Sequence, residues 1–470
     1  MLKVRFNGRI TFICLIDNMI IEPVDIASPL EAFAGIRRLE KPFIFYSGVY
    51  GKTGFSYVGA DPVMEVRTVS GMTTLERGGN LYGYRDPFEA ISALLSGLKS
   101  MDRGPFPFNR GIAGYFSYGL KDIIEPSIAF RRGGDRPALP ECSAGYYDPV
   151  YVHSHAEERG YIVSIGGERE RVGRFKELLT SWRLRNGPPA SVREAAAFFT
   201  SNVTRDGYIG AIERAKGYIS AGDIYQINLS QRLAAPYEGD PFLIFQRLME
   251  KNPAPFSSFM DFGSFQVISN SPERLLKIED GVVETCPIKG TRPRGMTPEQ
   301  DLAMVEELKH SKKERAEHVM IVDLERNDLG RISLPGTVEV ARFEEIETYP
   351  HLHHMVSTVR GRLKPGIDAP SALKEVFPGG SVTGAPKIRA MEIIDELETV
   401  DRSVYTGGIG WMDAGGGMDM AMAIRTAVCA GSVLYLHVGG GIVADSDPEA
   451  EYDETILKAR DFLGVLGMEA

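Results

Sequence analysis

Over the first 185 positions the apolar residues fall in short runs rather than in helical periods. Phe43-Ile44-Phe45-Tyr46 and Tyr161-Ile162-Val163-Ser164 are aromatic and β-branched runs cut off by Gly and Pro turns, a pattern that predicts short strands. Gly111-Ile112-Ala113-Gly114-Tyr115-Phe116-Ser117-Tyr118 sets glycines inside such a run, where neighbouring strands would pack closely. Arg174–Arg185 reads as helical, and Asn186-Gly187-Pro188-Pro189 breaks that pattern as a linker would. No short repeat recurs along the chain.

Beyond about residue 200 the periods lengthen. A helix from Tyr208 to about Ser220 closes at Ala221-Gly222, and Ile224-Tyr225-Gln226-Ile227-Asn228-Leu229 follows as a strand. Alternation puts Ile224, Gln226 and Asn228 on one face, which is polar where a core strand is apolar. Val267-Ile268-Ser269-Asn270-Ser271 is a second strand, running into the corner Pro272-Glu273-Arg274; on its own, Glu273 reads there as a solvated turn carboxylate. Thr297-Pro298-Glu299-Gln300 and Ser311-Lys312-Lys313-Glu314 are capping boxes, the second opening a helix through Val319-Met320-Ile321-Val322. Gly379 to Lys387 is a glycine-rich turn before an amphipathic helix expected to face Ile388, Met391 and Ile394 inward. Near the end, Leu434–Val438 runs as a strand into Gly439-Gly440-Gly441, and Asp447-Pro448 starts the next helix.

A chain of 470 residues exceeds one ordinary domain, so one large or two intertwined domains are expected, here 1–185 and 200–466. No apolar run reaches membrane-spanning length and the start lacks the features of a signal peptide, so no membrane partner and a cytoplasmic location are expected. Cys14, Cys142, Cys286 and Cys429 are scattered, form no paired metal motif, and read as reduced thiols. The formal charge of -10 argues against a nucleic-acid partner, while a local basic cluster still leaves room for an anionic substrate.

Three features carry candidate chemistry. Lys289 lies in Cys286-Pro287-Ile288-Lys289-Gly290-Thr291-Arg292-Pro293-Arg294-Gly295, where it reads as a solvated lysine of a basic loop or, if desolvated beside another cation, as a nucleophile. Glu314 with Glu317, and Glu451 with Glu454, are acid pairs three apart on helices: solvated faces, or two halves of a site for a hard divalent cation such as Mg²⁺. Glu314 has a second explanation as the capping-box acid. The turns at Gly379–Lys387 and Gly439–Gly441 offer backbone donors to an anion, or are simply tight turns; Ala385 stands where a nucleotide-binding loop needs Lys.

These residues resemble the chorismate-utilising enzymes, a family that includes the anthranilate, aminodeoxychorismate, isochorismate and salicylate synthases. The resemblance over about 200–465 rests on Asp223 to Leu229, Ser271-Pro272-Glu273-Arg274, Ile321 to Arg331, His353-His354-Met355-Val356-Ser357-Thr358, Phe377 to Lys387, Ile424-Arg425-Thr426 and Gly439 to Ser446, in that order. Phe45-Tyr46-Ser47-Gly48 and Val58-Gly59-Ala60-Asp61-Pro62 resemble the family's N-terminal region more loosely. The fold implied is α+β, two stacked antiparallel sheets flanked by helices, with the N-terminal part contributing strands to the same sandwich.

The resemblance implies roles residue by residue. Water-adding members place a Lys at Gln226; anthranilate synthases typically have Ala at Lys289, whereas aminodeoxychorismate synthases use a Lys there as nucleophile. The implied reaction is amination of chorismate to 4-amino-4-deoxychorismate for para-aminobenzoate and folate synthesis. Lys289 attacks the ring, Glu273 is the general acid and His354 the family's active-site histidine. Gln226, Thr291, Thr383, Lys387, Tyr405, Arg425 and the Gly439, Gly440 and Gly441 amides bind substrate. Mg²⁺ sits on Glu317 and Glu454, with Glu314 and Glu451 in support. Ammonia comes from a separate glutamine amidotransferase subunit, since no Gly-x-Cys-x-Gly signature occurs in the chain. Ser47, with Pro255 and Phe256, matches segments that contact tryptophan in related enzymes. The alternatives are an anthranilate synthase component I with an atypical Lys, and a non-catalytic chorismate- or tryptophan-binding protein, against which the full set of acids counts.

Overall fold

The computed structural model describes residues 4–6, 9–11, 19–48, 54–98, 104–128, 139–166, 168–185, 199–349 and 352–467. Cys14 and the linker Asn186-Gly187-Pro188-Pro189 lie outside them. The fold is α+β, built on two large antiparallel sheets of twelve strands each among the described residues.

Each sheet takes strands from both ends of the chain. In one, Gly111–Phe116 pairs with Gly408–Asp413; in the other, Phe43–Tyr46 pairs with Phe256–Asp261. Between the two sheets lies a core that includes Phe43, Tyr57, Met260 and Val267 from one, and Ala113, Tyr115, Ile409 and Trp411 from the other. The next residues along the same strands, Ile44, Val58, Phe259 and Ile268, turn the other way into a second core under the helices Pro29–Ile36, Arg169–Arg185, Pro241–Lys251 and Pro448–Val465. Strands covered on both faces need apolar side chains at consecutive positions, which is why Phe43–Tyr46 reads as a continuous run rather than an alternation. The second sheet is backed in the same way by Pro87–Ser96, Lys312–Ile332 and Ala369–Val376. At Gly114 a methyl group would stand 2.5 Å from Ala144 Cα, so the close strand approach expected of that glycine is real.

Helix starts follow the capping signals. Thr297 Oγ1 accepts from Gln300 N at 3.3 Å, and Asp447 accepts from Ala450 N at 2.9 Å with Pro448 opening the helix. Ser311 Oγ accepts from Glu314 N, but the Glu314 carboxylate takes a hydrogen bond from Arg292 Nη1 at 3.3 Å, a role beyond the capping box. The helix Lys387–Leu397 corrects one expectation. Met391 and Ile394 are buried with Ala390, Ile393 and Leu397, whereas Ile388 is 44% exposed. The buried stripe starts at Ala390, two residues on, which leaves Ile388 in the first turn beside solvent.

At the end of both sheets that holds the C-terminal strands, Gln226–Pro236 pairs with Val433–Ile442 in one sheet, and Ile288–Pro293 pairs with Leu352–Arg362 in the other. Between these strand pairs Gln226 and Lys289 approach each other over Gly441.

Candidate active site

The register of the first pair sets Asn228 opposite Gly441 and Ser230 opposite Gly439. Gln226, Asn228, Gly439 and Gly441 therefore share one face, and glycine at two of the four positions leaves room above it. A methyl on Gly441 would meet both Gln226 Nε2 and Lys289 Nζ at 3.1 Å, so the amide and the amine converge on one point. Gln226 is 1% exposed, and neither its Nε2 nor its Oε1 has a hydrogen-bond partner among the described residues; Asn228 Oδ1 is in the same position. Buried amides are normally satisfied, so these groups are available to a polar ligand or to water.

Lys289 reaches the cleft from the Ile288–Pro293 strand and is not a solvated loop lysine: its side chain keeps 19% of its exposure. Its ion-pair partner is a carboxylate, Glu317 Oε2 at 3.7 Å, rather than another cation. Across the same strand pair Thr291 lies opposite His354 and their side chains meet, Oγ1 to Nδ1, at 2.9 Å. Burial, reinforced by the nearby Arg425 charge, pushes the His354 imidazole down to about 3, so it is a neutral ring at ordinary pH. Arg425 sits at φ +48°, and burial pulls its guanidinium below its ordinary value against the opposing Asp461 charge.

Glu273 departs from the solvated carboxylate suggested by its local sequence. It is 7% exposed, and burial raises its carboxyl to about 7 against the opposing pull of a Ser381 hydrogen bond and the Lys289 and Lys458 charges. Burial won because the Pro272 corner turns inward against the Gly380–Val382 turn instead of toward water. A carboxyl poised near neutrality can hold a proton and surrender it, which is what a general acid needs.

The glycine strand joins the remaining elements. A methyl on Gly439 would touch Tyr405 Oη at 2.7 Å, and one on Gly440 would meet Glu451 Oε2 at 3.4 Å and Lys458 Nζ at 3.9 Å. Lys458 Nζ also donates to Gly439 O at 2.9 Å and pairs with Glu454 at 2.7 Å. Glu451 is buried and accepts from Ser446 Oγ at 2.7 Å. Glu451 and, through Lys458, Glu454 thus sit beside the glycine strand, whereas Glu317 meets Lys289 and Glu314 meets Arg292 on the Ile288–Pro293 strand. Among the described residues no three His, Cys, Asp or Glu side chains gather into a metal cage. Carboxylates in pairs still suit Mg²⁺, which keeps several waters and binds through one or two protein carboxylates plus ligand oxygens.

Two expected substrate contacts have other employment. Lys387 Nζ is bound to Asp328 Oδ2 at 2.6 Å and Val376 O at 3.0 Å, and Thr383 Oγ1 donates to Gly379 O at 2.9 Å. Both fasten the turn rather than face the cleft, because each polar group sits where a buried partner already needs it. Arg402 was not singled out from sequence. It is 2% exposed and spends its N–H groups on Glu398, Asn228 O, Val382 O and Thr406 Oγ1, tying the polar strand to the same turn. Lys458 was also missed, although its position four residues after Glu454 is the spacing at which helical acid and base meet.

Ser47, Pro255 and Phe256 line one cavity of about 300 Å³ away from these residues, with Phe45, Trp411 and Arg274 among its other walls. Arg274 lies 5.1 Å from the Phe256 ring centre and is held by Asp419 and Glu284.

The family described as chorismate binding enzyme matches residues 41–464. The chain belongs to that family. Among chorismate binding enzymes it is 38% identical over 439 residues to an aminodeoxychorismate synthase component 1 of Bacillus subtilis, covering 92% of this chain and 93% of the relative. It is 52% identical over 387 residues to an anthranilate synthase component 1 of Cereibacter sphaeroides, covering 80% and 77%. The crystal structure of anthranilate synthase component I from Streptococcus pneumoniae superposes with a TM-score of 0.77 at 34% identity, covering 87% of this chain and 92% of that one. The fold of this chorismate binding enzyme is that of its family. No helix among its described residues is long and apolar enough to cross a membrane.

Proposed function

We propose that the protein is the chorismate-aminating subunit of an aminodeoxychorismate synthase. The observation that carries this reading is Lys289 in the cleft, its amine converging with Gln226 on Gly441. Lys289 attacks the chorismate ring at C2. The C4 hydroxyl takes the Glu273 proton and leaves as water, and ammonia attacks C4 and expels the Lys289 amine. Gln226 and Asn228, with unspent amide groups, orient the ring substituents; Arg425, Tyr405 and the Gly439–Gly441 amides receive the enolpyruvyl carboxylate. His354, neutral and bonded to Thr291, lines the site without adding charge. Glu317 and Glu454 would hold Mg²⁺ with Glu314 and Glu451 in support, and the ion would supply electron withdrawal at the ring carboxylate. The "component 1" names of the relatives support a separate amidotransferase as the source of ammonia. The cavity at Ser47, Pro255 and Phe256 takes an aromatic amino acid such as tryptophan, whose ring suits its apolar walls.

The 52% identity to an anthranilate synthase component 1 favours a second reading, in which the same pocket makes anthranilate and pyruvate. Purified protein given chorismate, Mg²⁺ and ammonium at alkaline pH separates the two. Aminodeoxychorismate without pyruvate supports the first reading, and anthranilate with equimolar pyruvate overturns it.

A further inference from the structure

Glu273 is fixed at both its backbone and its side chain. Its N–H donates to Ser271 Oγ at 3.3 Å, its carbonyl accepts from Met422 N at 3.0 Å, and its Oε1 accepts from Ser381 Oγ at 2.8 Å. The Ser381 turn is itself clamped. Thr383 Oγ1 closes it onto Gly379 O and Gly380 O, Arg402 Nη1 holds Val382 O at 3.0 Å, and the neighbouring helix start is tied to Asp328 through Lys387. A methyl on Gly380 would stand 2.5 Å from Leu324 Cδ2, so the turn packs directly on that side chain. Thr383, Arg402 and Lys387 thus brace the turn that carries Ser381, a residue 8% exposed whose hydroxyl donates to the carboxyl.

We infer that Ser381 is the positioning residue of Glu273: by donating to Oε1 it leaves Oε2 to carry the transferable proton and sets how readily that proton departs. The inference rests on the reading of Glu273 as general acid. Besides Ser381, the groups facing Glu273 are Lys289 on the Ile288–Pro293 strand, Lys458 on the Pro448–Val465 helix and Glu325 on the Lys312–Ile332 helix. The two lysines favour its anion, and that anion in turn helps burial push the Glu325 carboxyl up. Ser381 is the member of this set that bonds directly to the carboxyl. A hydroxyl donor stabilises the carboxylate, so its removal makes Glu273 a weaker acid.

The test is Ser381→Ala beside Ser381→Thr, read by the pH dependence of ammonia-driven chorismate consumption, with rates referred to free ammonia. Glu273 titration is followed independently by difference infrared spectroscopy, using the carboxylic acid band absent from Glu273→Gln. Expected for Ser381→Ala is a Glu273 titration and alkaline limb moved up by about one pH unit, the worth of one hydrogen bond to a charged group. With it goes a kcat lowered about tenfold and an unchanged KM for chorismate. Ser381→Thr, which keeps the hydroxyl, restores the wild-type profile. Should Ser381→Ala fail to fold, Ser381→Cys, a weaker donor of similar size, moves the infrared titration in the same direction by less. A Glu273 titration unmoved in the folded Ala or Cys variant overturns the inference. Full turnover by Glu273→Gln overturns instead the general-acid reading beneath it, so the two failures are distinguishable.

Discussion

Glu273→Gln tests whether the buried carboxyl is kept at a cost to stability. In the folded chain burial raises this group from its ordinary 4.5 to about 7. Between those values the native state binds more protons than the unfolded one, so stability falls as pH rises through the window, and above it the full penalty is present. At 1.36 kcal/mol per pH unit the penalty is about 3 kcal/mol. Gln has nearly the same volume and can still accept from Ser381, but it has no proton to lose, so its stability lacks this fall. Urea unfolding of both proteins at about pH 5 and about pH 8.5 reads the effect; Glu325, whose carboxyl the Glu273 charge helps to push up, is a neighbour whose titration changes along with the substitution. The variant should gain on wild type by about 3 kcal/mol between the two pH values, while its turnover drops at least ~10²-fold for want of the acid. A stability difference between the proteins that is the same at both pH values refutes the argument, since the cost would then not lie in ionising Glu273.

Lys289→Ala should lower aminodeoxychorismate formation by at least about 10²-fold, and mass spectrometry should lose the covalent adduct trapped in wild type; a fully active variant would exclude the covalent route. Glu317→Gln and Glu454→Gln should raise the Mg²⁺ concentration needed for half-maximal activity more than Glu314→Gln and Glu451→Gln do, as water can bridge the longer gap. Superimposable Mg²⁺ titrations for wild type and Glu454→Gln would count against that assignment. Tryptophan at millimolar concentration should raise the melting temperature by binding only the folded state, and Phe256→Ala should abolish the rise. Neither binding heat nor a thermal shift in wild type would dispose of the amino-acid cavity.

The strands and helices of the catalytic half were legible in local sequence because their signals are local. Period-two alternation placed Gln226 and Asn228 on one face, and the Thr297-Pro298 and Asp447-Pro448 starts needed only adjacent residues. The α+β sandwich followed from motif resemblance rather than from periodicity. Ile388 was misjudged because where a buried stripe begins depends on what the helix packs against, not on its period.

For the site, residue types and order were written in the chain, and what each residue does was not. Whether Glu273 is solvated or buried depends on the Gly380–Val382 turn, 108 residues away in sequence from the carboxylate it holds through Ser381. Lys387 and Thr383 look like ligand-binding groups in a glycine-rich turn, yet Asp328, Val376 O and Gly379 O claim them. Arg402 carries no motif at all, and its importance exists only where Asn228, Val382 and Glu398 meet. A linear sequence determines which donors and acceptors are available. Only packing decides which of them satisfy one another and which, like the Gln226 amide, are left facing the cleft, because a buried polar group is settled by whatever lies within about 3 Å of it in space.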